Sequence, residues 1–308
     1  MGTRSPSVIV GVDGSEPAAE AARAGAREAA RRDLPLRLVR AFHWPSGDIP
    51  GMPDARDACA ASRHSANGDL ERLRRGVASL LPQRAVSVEL LDGRPEVVLC
   101  RAARDGDLLV VGASGLSWGS GSALGSVAES VAATAPCPVL VHRTPNPLDR
   151  HHGVVVGVDG AAGSREVLTA AVTEARLRGE PLTVVHAWRQ FTEDAVHRLR
   201  WRLDVHASTD AETAAVEPLV SEVRVRVADV PVEMAVERGR AGQVLVRAGS
   251  TAGLLVVGRR DVSAGGPGAT VHSVLHRVDV PVLTVPVTAP APVVDAGRTA
   301  SAAGRLPG

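Results

Sequence analysis

The sequence predicts an α/β protein made of two tandem doubly wound domains, each with a mainly parallel five-stranded sheet. Three observations carry this reading: a length of 308 residues, a long internal repeat, and strands that alternate with helices inside each copy. Domains usually take roughly 100–200 residues, so this length accommodates two. Hydrophobic residues make up 44% of the chain, enough for two packed cores. Alternating strands and helices require right-handed crossovers and therefore a mainly parallel sheet.

The repeat is read directly. Val8-Ile-Val-Gly-Val-Asp-Gly14 returns as Val154-Val-Val-Gly-Val-Asp-Gly160, and Leu38-Val-Arg-Ala-Phe42 returns as Val184-Val-His-Ala-Trp188. Leu108-Leu-Val-Val-Gly112 returns as Leu254-Leu-Val-Val-Gly258, at the same offset of 146 positions. Pro138-Val-Leu returns as Pro281-Val-Leu at an offset of 143, so the second copy is three residues shorter between its fourth and fifth strands. A period this long marks duplicated domains and not a solenoid. The expected division is a first domain over 1–145, a Pro-containing linker over 146–152, a second domain over 153–287, and a disordered Ala/Pro/Gly-rich tail over 288–308.

In the first copy Val8–Val12 is a continuous apolar run that reads as a buried strand. Ser15 is placed to cap the helix that follows, with Pro17 in its first turn and the Ala- and Arg-rich run Ala18 to Arg32 as its body. Leu36–Phe42 is the second strand. His43 to Asn67 carries Pro, Gly and Asp and reads as a long mobile loop, followed by an amphipathic helix from Asp69 to Leu81. Val86–Leu91 is the third strand, Pro95 to Arg104 a short helix and Leu108–Val111 the fourth strand. A glycine-rich loop runs from Gly112 to Gly125, then a helix from Ser126 to Ala135 and a last strand over Val139–Val141.

Composition excludes several chemistries. The chain has no lysine, and all 35 of its basic side chains are Arg. That removes P-loop nucleotide hydrolysis, Schiff-base catalysis and the protein-kinase mechanism, each of which needs a Lys. A net charge of +1, with aromatic residues limited to 2 Phe, 4 Trp and no Tyr, offers no basic field and does not support stacking platforms for nucleic acid. No stretch approaches the roughly 20 apolar residues of a membrane helix, and the N-terminus reads as a strand and not as a signal peptide. The expectation is a cytoplasmic protein. Cys59, Cys100 and Cys137 are odd in number and far apart, which fits a reducing compartment, with Cys100 and Cys137 read as small buried hydrophobes.

Two features sit at strand carboxyl ends, where open α/β sheets bind ligands. Asp13 follows the first strand, a position that also suits a turn or cap residue. Gly112-Ala-Ser-Gly115, nine further residues, then Gly125-Ser126-Val127 follow the fourth. Glycines admit positive φ and close approach of backbone to an anion, and a helix opening at Ser126 offers unpaired N–H groups to negative charge. Gly115-Leu-Ser117-Trp-Gly119 has nucleophile-elbow spacing, but its Ser lies mid-loop and not between strand and helix. His272 and His276, four apart on a helix, read as a helix surface or subunit contact; as half of a metal site they lack an evident third ligand. Arg72, Arg74 and Arg75 read as a solvated face, His151-His152 as solvated linker, and Arg259-Arg260 as a pair able to touch an anion.

On these residues the chain resembles the universal stress protein family. Gly112, Gly115, Gly125 and Ser126 match every fixed position of the family's ATP-site pattern, and Asp13 matches its acidic residue after the first strand. The resemblance implies an adenine nucleotide alpha hydrolase-like fold. It implies that Val12, Asp13 and Ala41 line the adenine end, Gly112 and Gly115 the ribose and phosphates, and Gly125, Ser126 and Val127 the phosphates. The cofactor implied is ATP, with Mg2+ held through the phosphates; no catalytic residue and no metal ligand is assigned. In the second copy Asp261 stands where the second glycine belongs and Ala269 replaces the Ser, so that copy is expected to bind ATP weakly or not at all. The function implied is a nucleotide-dependent stress-response regulator, with a weak ATPase or self-phosphorylating enzyme and a nucleotide-independent scaffold as alternatives. Family members often pair through the last strand, which makes Val139–Val141 and Val282–Val285 the edges of a homo-oligomer or intramolecular pseudo-dimer.

Overall fold

The computed structural model of the chain describes residues 5–44, 55–81, 84–115, 124–143, 151–188, 205–260 and 268–287. The first copy contains β1 (Val8–Gly11), α1 (Glu16–Arg32), β2 (Leu36–Phe42), α2 (Ala55–Ala78), β3 (Val86–Asp92), α3 (Pro95–Ala102), β4 (Leu108–Gly112), α4 (Ser126–Thr134) and β5 (Val139–His142). The second repeats the order with β6 (Val154–Val158), α5 (Ser164–Arg178), β7 (Leu182–Trp188), α6 (Val205–Arg226), β8 (Val232–Arg238), α7 (Ala241–Gly249), β9 (Leu254–Arg260), α8 (Ala269–Arg277) and β10 (Val282–Val287).

Each copy contributes five parallel strands, and the two sets fuse into one ten-stranded sheet of order β3-β2-β1-β4-β5-β10-β9-β6-β7-β8. The seam is the antiparallel pair β5–β10, in which Leu140 faces Leu283. The strand order reverses between β1 and β4, so chain leaving those two strands diverges and opens a crevice at their carboxyl ends.

The pleat sends alternate residues to opposite faces. Val8 and Val10 enter a core built with α1, α2, α5 and α6, while Ile9 enters a core built with α3, α4, α7 and α8. Both cores run across the two copies. The molecule is therefore a three-layer α/β/α sandwich in which the two expected five-stranded sheets join edge to edge through the last strands, the edges named for an intramolecular pseudo-dimer.

Local signals explain most element boundaries. The Ser15 hydroxyl accepts from the Ala18 N–H at 3.2 Å and caps α1, with Pro17 in its first turn. One expectation fails: much of the segment His43 to Asn67 is not loop, because α2 begins at Ala55 and runs 24 residues. Ala66, Leu70 and Val77 are all buried, at helical spacing, and this apolar stripe overrides the Ser, Asn and Gly around Asn67. The tail 288–308, the linker up to Arg150 and the shortened loop 261–267 lie outside the described residues. His152 is tied down through its backbone N–H, which donates to the Thr251 carbonyl at 3.0 Å, and His151 is half-buried, so this pair is not fully solvated. Arg72 and Arg74 pair with Asp69 and Glu71 on the exposed face expected of them.

Polar contacts also cross the seam. Glu28 and Arg32 of α1 meet Glu174 and Arg178 of α5 in a four-membered ion cluster, with Arg178 Nη2 2.8 Å from Glu28 Oε1 and the pairs Arg32–Glu28, Arg32–Glu174 and Arg178–Glu174 closing the ring. The repeat offset relates Glu28 to Glu174 and Arg32 to Arg178, so the cluster sits on the pseudo-twofold axis. On the other face the Arg259 guanidinium donates to the carbonyls of Ala133, at 2.9 Å, and Ala135. Thr284 Oγ1 donates to the Ala132 carbonyl at 3.1 Å. Arg143 answers by donating to the Leu275 carbonyl. Each copy thus supplies donors to the orphan carbonyls of the other copy's last helix.

Candidate functional site

The crevice between β1 and β4 holds a cavity of about 240 Å³. All eight residues implied by the resemblance line it: Val12, Asp13, Ala41, Gly112, Gly115, Gly125, Ser126 and Val127. Val39, Leu99 and Val111, which no sequence motif marks, add apolar wall from β2, α3 and β4. They are buried core residues by pattern, and the reversal of strand order is what sets the crevice against them.

Asp13 is built in at the end of β1. Its Oδ1 accepts from the Ser15 N–H at 2.9 Å and from the Ser15 hydroxyl at 2.6 Å, while Gly14 takes φ +93° to let the chain turn. Turn residue and cavity residue are the same residue here. Gly115 packs directly on it: a Cβ at Gly115 would lie 2.5 Å from Asp13 Oδ2. At Gly112 a Cβ would meet the Pro17 carbonyl oxygen at 3.1 Å. Gly112 and Gly115 therefore serve close approach; the expectation of positive φ does not hold for Gly112, Gly115 or Gly125, and a Cβ at Gly125 would make only ordinary contact with the Ala113 carbonyl at 3.5 Å. The loop is cinched where it leaves and re-enters, with the Gly125 N–H donating to the Ala113 carbonyl at 2.7 Å. Residues 116–123, including most of the nucleophile-elbow pattern, lie outside the described residues.

At α4 the N-cap is Gly125, and no side chain caps the helix. Ser126 and Val127, the first helical residues, face the cavity, so the first turn brings N–H donors and the positive end of a helix dipole to its wall. The site thus has an apolar part formed by Val12, Val39, Ala41 and Leu99, and a donor-rich part formed by the loop and α4. Asp13 is the one ionisable side chain among the described lining residues.

The matching place in the second copy is built differently. Where β4 ends at Gly112, β9 continues through Arg259 and Arg260 and pairs with Pro286 and Val287 of β10. Val287 crowds both Gly163 and Gly258, and a Cβ at Gly258 would also meet Val167 at 2.7 Å. Asp159 Oδ2 pairs with Arg260 at 2.6 Å, while its Oδ1 accepts from the Ala161 N–H at 3.0 Å and the Ser164 hydroxyl at 2.9 Å. Burial pushes this carboxyl up, but those two donors and the Arg260 guanidinium together hold it below its ordinary value. Arg260 thus pairs with Asp159 on an exposed surface, while Arg259 is buried at the end of α4.

The thiols divide. Cys137 is buried, and burial with the Asp107 charge nearby pushes its pKa up to about 12. Cys100 is half-buried beside Thr134, so the expectation of a buried thiol holds only for Cys137. Among the described residues no helix is long and apolar enough to cross a membrane.

Fold and cavity together define a duplicated doubly wound α/β module with its ligand crevice at the switch point. The model of the "Universal stress protein family" matches residues 6–143 and 151–286. The chain belongs to the universal stress protein family, in its tandem form. A universal stress protein of Mycobacterium tuberculosis strain H37Rv is 35% identical over 234 residues, 75% of this chain and 80% of its own. Another from the same strain is 30% identical over 287 residues, 90% of this chain and 95% of its own. Among solved structures, a universal stress protein from Archaeoglobus fulgidus DSM 4304 superposes with a TM-score of 0.64 at 16% identity, covering 92% of this chain and 99% of that one. This last likeness speaks to the fold alone.

Proposed function

We propose that the chain is a cytoplasmic regulator that binds ATP in its first copy and weakly or not at all in its second, with occupancy biasing its shape or its partners. The working units are residues 1–145 and 153–287, joined by 146–152 and followed by the tail 288–308. The observation that carries this reading is the convergence of Asp13, Gly112, Gly115, Gly125 and Ser126 on one cavity whose wall includes the side-chain-free N-cap of α4.

The residues present fit an adenine nucleotide. Val12, Ala41 and Asp13 suit the base, which needs an apolar face and a polar edge. Gly112 and Gly115 keep the wall bare of side chains beside the ribose and phosphates, where a Cβ would collide with Asp13 or the Pro17 carbonyl. Gly125, Ser126 and Val127 offer backbone N–H groups and a hydroxyl to phosphate oxygens. Mg2+ would be carried by the phosphates, with no protein ligand assigned. Since Asp13 is engaged by Ser15 in the turn, this arrangement favours binding over hydrolysis. In the second copy the β9 extension and Val287 take the place of the bare wall.

Isothermal titration of nucleotide-stripped full chain with ATP and Mg2+ tests this. Saturation near one equivalent per chain is the expected result, with AMP and cyclic AMP as competitors that define which phosphates matter. Two equivalents would overturn the assignment of the second copy, and no binding would overturn the nucleotide reading.

A further inference from the structure

His272 and His276 lie four residues apart, so both imidazoles project from one face of α8. The third donor that the sequence did not reveal comes from the other copy. Glu129 on α4 presents Oε1 3.0 Å from His272 Nδ1 and 3.5 Å from His276 Nε2. The pseudo-twofold axis explains the meeting: Glu129 and His272 are each the fourth residue of their helix, at equivalent positions of the two copies. The imidazole rings lie 4.2 Å apart between centroids. One donor atom from each of the three residues falls within 4.8 Å of the others, and this is the one such group of three His, Cys, Asp or Glu among the described residues.

We propose that Glu129, His272 and His276 bind one dication of the zinc class across the seam between the two copies. Bonds of about 2.0–2.2 Å in tetrahedral geometry separate neighbouring ligand atoms by about 3.3 Å. The Glu129–His272 and Glu129–His276 distances already bracket that value, so small rotations of the rings complete the set. Two neutral imidazoles and one carboxylate match the donors zinc prefers, and suit Cu2+ and Co2+ as well. A single carboxylate is a poor match for Ca2+ or Mg2+, which require several oxygen ligands. The three side chains remain 31–54% exposed, which leaves room for water in the fourth position. The site lies outside the proposed nucleotide cavity, and it stands or falls independently of ATP binding. Its consequence is mechanical: a bound ion links α4, whose first turn lines the cavity, to α8 of the other copy.

The test uses the full chain stripped of metal by chelator. ZnCl2 is titrated calorimetrically, and CoCl2 is added with visible absorption as the readout. The expected result is one site per chain with a micromolar dissociation constant, a tetrahedral cobalt spectrum, and a thermal midpoint raised by several degrees by zinc and unchanged by MgCl2. The paired variant His272→Ala/His276→Ala should lower zinc affinity at least tenfold. Glu129→Gln, which keeps the side-chain shape, should do the same while melting like wild type in chelator. Absence of zinc binding in wild type, or unchanged affinity in either variant, would overturn the proposal.

Discussion

At the scale of single residues, the site depends on one van der Waals fact. Gly115 sits so close to Asp13 that a methyl group would lie 2.5 Å from a carboxylate oxygen whose partner oxygen is held by Ser15. Asp13 cannot swing away without breaking the turn that starts α1, so the loop must yield. Gly115→Ala is therefore expected to weaken ATP binding by about tenfold or more, about 1.4 kcal/mol, with little change in thermal midpoint. Titration of the variant beside wild type checks this, and equal affinity would show that the loop glycine is not part of a nucleotide site. The glycine spacing was legible in the sequence because it is a pattern of absences. The reason for it was not, since positive φ and close approach leave the same residue behind, and only the folded loop separates them.

At the scale of elements, α4 belongs to both copies. It starts at the cavity with no side-chain cap and ends on donors supplied by the other copy, with Arg259 spanning the carbonyls of Ala133 and Ala135. Hydrogen bonds from a charged donor contribute about 1.5–3 kcal/mol, and their loss here leaves buried carbonyls without this partner. Arg259→Ala is expected to lower unfolding stability by about 2–3 kcal/mol in urea denaturation. A change within a few tenths of a kcal/mol would mean that water replaces the guanidinium. Arg259 shows the limit of local reading. In sequence it stands beside Arg260 in an eroded loop, and the partner that decides its role is more than a hundred positions away. The same limit applies to His272 and His276, whose companion Glu129 is a lone acid on a helix until the repeat is folded about its axis. By contrast, the strands and the helices flanking them were legible, because buried parallel strands are continuous apolar runs. The first half of α2 was not, because its Ser, Asn and Gly residues mimic a loop and its apolar stripe is sparse.

At the scale of the whole molecule, the two copies share one sheet, so the seam must be held on both faces. On the α1–α5 face it is held by charge. Glu28 is buried between arginines of both copies. Burial alone would raise its carboxyl, but Arg178 and Arg32, with Arg31, outweigh that and hold it below the ordinary 4.5. Arg32 is affected the opposite way: burial would lower its guanidinium, and Glu174 and Glu28 raise it instead. A carboxyl whose folded value is depressed stabilises the native state at pH above its unfolded value, and that contribution is lost as pH falls through the folded value. Glu28→Gln leaves Arg32 and Arg178 sharing a single acid in a buried setting. Breaking such a cluster by removing one partner costs about 3–5 kcal/mol. The variant should therefore be less stable than wild type at pH 7 by that order, and the gap should begin to narrow as pH drops below 4.5, where the unfolded chain takes up the proton, and close only below the depressed value at which folded Glu28 does. Denaturant melts of both proteins from pH 7 to pH 3 measure the gap directly. A gap that stays constant across that range would assign the loss to packing and not to charge, and the seam would then rest on the β5–β10 ladder and the apolar cores that run through it.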